Sequence, residues 1–240
     1  MRAVKQPRYV PLAARIWPGQ FRDALAVQLM NRSMVLLAAH REGEALAAAE
    51  QGVAMQRSLA AARPRKPAPG LAAALNNLSY PLRAVGRRDE ALTAAGEAAL
   101  IYRGLAAANP RKYRYSLANS LGTQAELLAQ AGQPGRALTA TGEATRIYQD
   151  IRPANRDAAQ ASEVLFLHGQ LLYEQSRHRE AARSLARAWH LAGPQAGQEP
   201  SFDRAVLTAV YQADPAGFLA AWRAETGASP PPWLTADNNG

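Results

Sequence analysis

Residues 86 to 148 carry the same pattern twice, and this repetition limits the available folds more than any other feature of the chain. Gly86, Ala91-Leu92-Thr93-Ala94, Gly96-Glu97-Ala98 and Ile101-Tyr102 return as Gly132, Ala137-Leu138-Thr139-Ala140, Gly142-Glu143-Ala144 and Ile147-Tyr148. The offset is constant at 46 residues. A period of that length belongs to stacked helical units, each too small to bury its apolar face alone. Carried backward, the offset aligns Pro18 and Pro64 with Pro110, Leu25-Ala26 and Leu71-Ala72 with Leu117-Ala118, and Leu29 and Leu75 with Leu121. Carried forward, it aligns Asn155 with Asn109, and Leu165 with Leu121 after a two-residue shift. Four units result: 18–63, 64–109, 110–155 and 156–193.

Inside each unit the apolar spacing is helical. Leu117, Leu121 and Leu128, then Leu138, Ala144, Ile147 and Tyr148, step mostly by three, four or seven, which places them on one face of a helix rather than alternating across a strand. Punctuation agrees. Asn109-Pro110 ends one helix, because proline has no N–H to donate and restricts the residue before it. Ser116 or a neighbour caps the next. Gly132-Gln133-Pro134 closes that helix and opens its partner. The pattern predicts first helices over 21–39, 68–85, 113–131 and 157–175, and second helices over 42–62, 88–108, 134–151 and 178–192.

Small residues recur at matched depths. Ser33, Ser79, Ala125 and Gly169 stand mid-way along the first helices. Ala45, Ala91, Ala137 and Ala181 open the second helices, followed by Gly52, Ala98, Ala144 and Ala188. Such positions let two helix backbones approach closely. Leu36, Leu82, Leu128 and Leu172 fill the space around them. The fold predicted from these columns is all-α.

These columns resemble tetratricopeptide repeats, in the extended form found in kinesin light chains and many actinobacterial repeat proteins. The resemblance covers residues 18–193. His40 and Ser176 replace the turn glycine in the outer units, and Arg156 stands in the proline column. The resemblance implies a right-handed α-solenoid of about four helix-turn-helix repeats, with first helices lining a concave groove that binds a peptide segment or partner protein. Residues 1–17 read as an N-terminal cap or the last turns of an earlier second helix. Residues 194–226 read as a loop and a closing helix pair joined at Asp214-Pro215. Residues 227–240 read as an extended tail in which Trp233 and Leu234 pack back, and the last residues as disordered.

Pro81 falls inside a first helix, where it removes a hydrogen bond to Asn77 and predicts a kink. The two readings are a tolerated kink facing solvent and a locally widened groove.

Chemistry is sparse. The chain lacks cysteine, which removes thiol nucleophiles, disulfides and cysteine metal sites, and fits a reducing, cytoplasmic setting. There is no Gly-Lys phosphate loop and no Gly-x-Ser-x-Gly elbow. His168 and His178 are ten residues apart, not a ligating spacing. No apolar run is long enough to span a membrane. The expectation is a non-catalytic protein with no cofactor and no metal.

What remains is a surface. Opposite the small column stand Met30 and Met34, then Asn76, Asn77, Tyr80 and Arg83, then Asn119, Thr123 and Glu126, and finally Phe166, Gln170 and Tyr173. Side-chain amides can bracket an extended backbone, and tyrosine and arginine suit binding hot spots. In the resembled family the asparagine of Leu-Asn-Asn-Leu clamps the ligand, and Asn77 is the matching residue. The net charge of +9 supports a second reading. Arg65 and Lys66, with Arg111, Lys112 and Arg114, occupy successive inter-repeat turns and form a predicted basic edge for nucleic acid or an acidic partner. A ligand-sensing regulator is a third reading. The oligomeric state is not encoded in any motif.

Overall fold

The computed structural model describes residues 18–64, 67–151, 155–193, 200 and 202–235. The predicted cap at 1–17, the basic pair Arg65 and Lys66, and the last five residues lie outside them. Among the described residues there are eleven α-helices and no strand. We number them α1 (Pro18–Ala38), α2 (Glu42–Ala61), α3 (Pro69–Ala84), α4 (Arg88–Ala108), α5 (Pro110–Gln130), α6 (Pro134–Ile151), α7 (Asn155–Glu174), α8 (His178–Ala192), α9 (Arg204–Ala213), α10 (Pro215–Thr226) and α11 (Pro232–Thr235). Each odd helix up to α7 pairs with the even helix after it; the α1–α2 pair stacks on α3–α4, and the α5–α6 pair on α7–α8. The architecture is an all-α solenoid.

Four turns join the pairs, and all four are closed in the same way. Arg41, Arg87, Gln133 and Arg177 donate their backbone N–H to the carbonyls of Leu36, Leu82, Leu128 and Leu172, each at 2.9 Å. The residue before each donor is left-handed: His40 at φ 56°, Gly86 at 82°, Gly132 at 69° and Ser176 at 59°. This is a helix C-terminus closed by a six-to-one hydrogen bond, the arrangement glycine usually serves. His40 and Ser176 adopt it too, at a strain of about 1 kcal/mol each. The helix pair overrides the local preference.

A clasp lies across each turn. Arg41 grips Glu44 with two hydrogen bonds of 2.7 Å. Arg87 grips Glu90 at 2.6 and 2.6 Å, and Arg177 grips Glu180 at 2.8 and 2.6 Å. In the third turn the residues are exchanged, with Arg136 donating to Gln133 at 2.5 Å. The clasp holds the Glu90 and Glu180 carboxyls below the usual carboxylate range. The side chains are about half exposed, so each clasp orients its turn more than it stabilises it.

The small columns are buried as predicted. Ala45, Ala91, Ala137 and Ala181 are each 0% exposed, as are Ala98, Ala144 and Ala188. Ser33 is also buried and donates from Oγ to the Ala45 carbonyl at 2.8 Å, joining α1 to α2. A Cβ on Gly52 would meet the Ala26 carbonyl oxygen at 3.4 Å. The columns thus mark where backbones touch. Leu36, Leu82, Leu128 and Leu172 are buried beside them, each contributing about 2 kcal/mol by leaving water.

The chain forms two compact units, 1–108 and 109–240. In the first, α1 to α4 are cross-linked by Gln56 to Asp23 at 2.7 Å, Arg57 to Glu97 at 2.5 Å, and Arg87 to Glu50 at 3.0 Å. In the second, α5 to α8 continue into α9 to α11, whose Leu207, Val210, Phe218, Trp222 and Leu234 join the α8 core. Asp214 caps α10 by accepting from the Gly217 N–H at 3.0 Å.

Some expectations need correction. Helix α5 starts at Pro110, earlier than predicted, because proline is pre-set for a first helical position and Asn109 caps it from the Lys112 N–H. Pro81 is buried inside α3, so its position is not a solvent-facing kink. The predicted extended tail contains a helical turn, α11, which carries Leu234 into the core.

Candidate interaction surface

Buried columns fix which way each first helix faces. With Ala26, Ser33 and Leu36 turned inward on α1, the opposite stripe is left to solvent. On α3, α5 and α7 the corresponding positions are mostly half-buried. Met34, Tyr80, Glu126 and Gln170 occupy one aligned column, exposed on α1 and half-buried on the others. Four equivalent positions therefore carry four different chemistries: thioether, phenol, carboxylate and amide.

In the first unit this face is apolar and aromatic. On α1, Leu25, Val27, Met34 and Val35 are 41%, 40%, 39% and 70% exposed. Val27, Met34 and Val35 form a continuous stripe at helical spacing. Leu25, Val27 and Val35 were not among the residues singled out from the sequence. A run of apolar residues on both sides of a helix hides which side has no partner. On α3, Asn76, Asn77, Tyr80 and Arg83 are half-buried. The Arg83 guanidinium lies over the Tyr80 ring, 5.9 Å from its centroid, a cation–π pair. Asn76 Oδ1 is buried without a hydrogen-bond partner. Met30, predicted to face the groove, is 6% exposed. It packs toward Gly52 of α2, where the missing side chain leaves room for it.

In the second unit the face is polar. Glu126 and Gln170 are half-buried, and Glu163 and Glu174 are exposed. Gln170 leans on Glu174 at 3.4 Å. The other predicted residues are committed to structure. Thr123 is buried and donates to the Asn119 carbonyl at 3.2 Å. Asn119 Oδ1 accepts from the Tyr148 hydroxyl at 2.6 Å. Phe166 stacks on Phe202 at 4.6 Å, and Tyr173 packs against the α8 core and the His178 ring. These two rings cover the last core layer instead of lining an open face. Sequence spacing placed them on the correct helix but could not anticipate the Phe202 ring over Phe166 or the His178 ring against Tyr173.

The basic edge is weaker than its composition. Arg111 and Lys112 are exposed, and Lys112 sits 5.2 Å from the Tyr113 ring centroid. Arg114 is ion-paired to Asp150, which spends its charge within the fold.

Among the described residues, no three of His, Cys, Asp and Glu are placed to hold a metal ion, and no helix is long and apolar enough to cross a membrane. The His168 pKa is pushed down to about 4, first by burial and then by Arg177, with Glu180 opposing. Its Nδ1 is 2.8 Å from Thr141 Oγ1, which ties α7 to α6. An unfolded chain would protonate this ring near pH 6.5, whereas the folded chain resists until about pH 4. Stability is therefore full above pH 6.5 and falls as pH drops through that window, by at most about 3 kcal/mol. In urea titrations at pH 7 and pH 4.5, His168→Gln should show a smaller acid loss than the parent chain.

No family model and no curated protein matches this chain. Among solved structures, the crystal structure of BtubC (BKLC) from P. vanneervenii is similar over 92% of each chain, at 20% identity and a TM-score of 0.50. That likeness concerns the fold, an all-helical one.

Proposed function

We propose that this chain is a non-catalytic interaction scaffold whose first helices hold a segment of a partner protein. Its repeats are of the extended, kinesin-light-chain-like type, filling residues 18–193. Helices α9 and α10 form the closing pair that covers the last core layer. The observation that carries the reading is the aligned column Met34, Tyr80, Glu126 and Gln170. These side chains reach solvent while the small columns opposite them are sealed. A scaffold that varies its outward residues while keeping its inward ones has its specificity on that face.

The two units supply different recognition chemistry. Exposed valines and Met34, beside Tyr80 and Arg83, fit an apolar stretch with an aromatic or acidic anchor. Glu126, Glu163 and Glu174 fit basic or amide groups. A flexible partner segment loses ordering entropy on binding, so an affinity of about micromolar is expected. The setting we infer is the cytoplasm.

The test is capture of a partner from a native lysate by the full chain and by Asn77→Ala and Tyr80→Ala variants. Each variant should retain about a tenth or less of the capture, with an unchanged melting curve. Capture by both variants at the parent level would remove the first-helix face from the proposal. A nucleic-acid partner would instead release steeply between low and moderate salt, and would depend on Arg111 and Lys112.

A further inference from the structure

A second surface lies between α8 and α10. A cleft of about 440 Å³ is lined there by Arg179, Arg183, Ala216, Gly217, Ala220, Ala221 and Ala224. Its wall carries Arg179 and Arg183, and Arg187 continues the row beyond the lining. Arg179, Arg183 and Arg187 follow one another at four-residue steps, so they share one face of α8 at about 6 Å intervals. Its floor carries only methyl groups and one glycine. Ala216, Ala220 and Ala224 are exposed along α10.

The charges of this row are largely unspent. Arg179 is 85% exposed and reaches Asp214 only at 3.4 Å, while that carboxylate also accepts the Gly217 N–H at the start of α10. Arg183 and Arg187 are neither hydrogen-bonded nor ion-paired to a described residue. Glu180, the nearest carboxylate on α8, is already held by both nitrogens of the Arg177 clasp. A positive row beside a shallow apolar floor has a defined complement. It fits a chain that brings carboxylates to the wall and its own backbone down onto the alanines.

We propose that the α8–α10 cleft docks an acidic segment of a partner protein. In an extended segment, alternate side chains are about 6.6 Å apart, which matches the arginine spacing and lets one carboxylate meet each guanidinium. Arginine presents a two-pronged donor to each carboxylate. The floor of alanines excludes bulky side chains from the segment's inward face and admits glycine, alanine or serine. The lining holds no aromatic ring on which a base could stack, so a peptide fits it better than a single-stranded nucleic acid.

The probe is a fluorescent synthetic peptide alternating glutamate and alanine, titrated with the full chain in low salt and followed by anisotropy. The parent chain should bind it, and binding should weaken several-fold at 0.5 M salt as the charges are screened. The double variant Arg179→Ala, Arg183→Ala should bind at least tenfold more weakly with unchanged helicity. Ala220→Glu, which sets a like charge on the floor, should do the same without touching the arginines. Asn77→Ala and Tyr80→Ala should bind the peptide as the parent does, which separates this cleft from the first-helix face. Equal binding by the arginine variant and the parent would overturn the proposal. So would tighter binding of an oligothymidylate of equal charge that displaces the peptide.

Discussion

Gly169→Val is expected to destabilise the second unit by about 3 kcal/mol, lowering its melting temperature by about 6–12 °C. A Cβ on Gly169 would stand 2.7 Å from Leu185 Cγ and 3.2 Å from the Ala181 carbonyl oxygen. Neither neighbour can give way. Leu185 is 0% exposed and belongs to the core that α8 shares with α10. The carbonyl is part of the α8 backbone, with Ala181 also buried in the seam. Any side chain at this point must push α7 and α8 apart. Alanine would recover some of the loss through its better helix propensity, about 1 kcal/mol over glycine, whereas valine adds a branched side chain at the tightest point. Thermal melts followed by circular dichroism give the value. Adding Leu185→Ala to Gly169→Val opens space beside the new side chain, so the two changes should cost less together than the sum of each alone. Strict additivity would mean that the glycine does not define this seam.

Trp222→Ala should have an effect at least as large, about 3–5 kcal/mol. Its side chain is 1% exposed. It meets Phe218 at 5.5 Å in a stacked pair and Trp189 at 5.5 Å in a tilted one. From there rings continue in contact through Phe202 to Phe166 on one side and through Phe218 to Tyr211 on the other. One aromatic chain thus joins α7, α8, α9 and α10. Its central link is the largest fully buried side chain among the described residues. Removing that ring leaves a void too broad for alanines to close, and uncovers Leu185, Ala182 and Ala186 along α8. Urea unfolding should shift to a lower midpoint, and binding of a hydrophobic dye should rise before unfolding begins. Trp222→Phe keeps much of the stack and should cost markedly less. A Trp222→Ala chain that unfolds at the parent midpoint would show that α10 is an appendage and not a cover.

Much of this architecture was legible in the residues because packing and periodicity act on the same positions. Ala91 and Ala137 repeat at a fixed offset, and they repeat because each meets a neighbouring backbone at the same depth. Turn geometry was legible too, although its residues misled. His40 and Ser176 look like departures from glycine, yet both adopt the left-handed angle. The six-to-one hydrogen bonds to Leu36 and Leu172 and the paired helices dictate it. The interaction face was less legible. Met30 and Met34 are one turn apart and chemically identical, but one faces Gly52 and the other faces water. The difference depends on a missing side chain on another helix, which no spacing rule within α1 contains. Phe166 is half-buried because Phe202, from beyond the repeats, stacks on it, and Tyr173 because His178 packs against it. The arginine row on α8 carries no periodic signature, and its apolar neighbour comes from α10.

The clasp across each turn bears on how a chain of this kind changes length. Arg87 and Glu90 belong to one hairpin and close it without help from the next, and the exchanged Gln133 and Arg136 do the same by other means. A duplicated or deleted hairpin therefore takes its own fastener with it, and the cut ends meet at surfaces that already matched. Growth by whole hairpins keeps each turn's own clasp, although pairs between hairpins such as Arg87–Glu50 are remade. Growth by any other increment would leave an arginine without its acid and a helix facing the wrong neighbour.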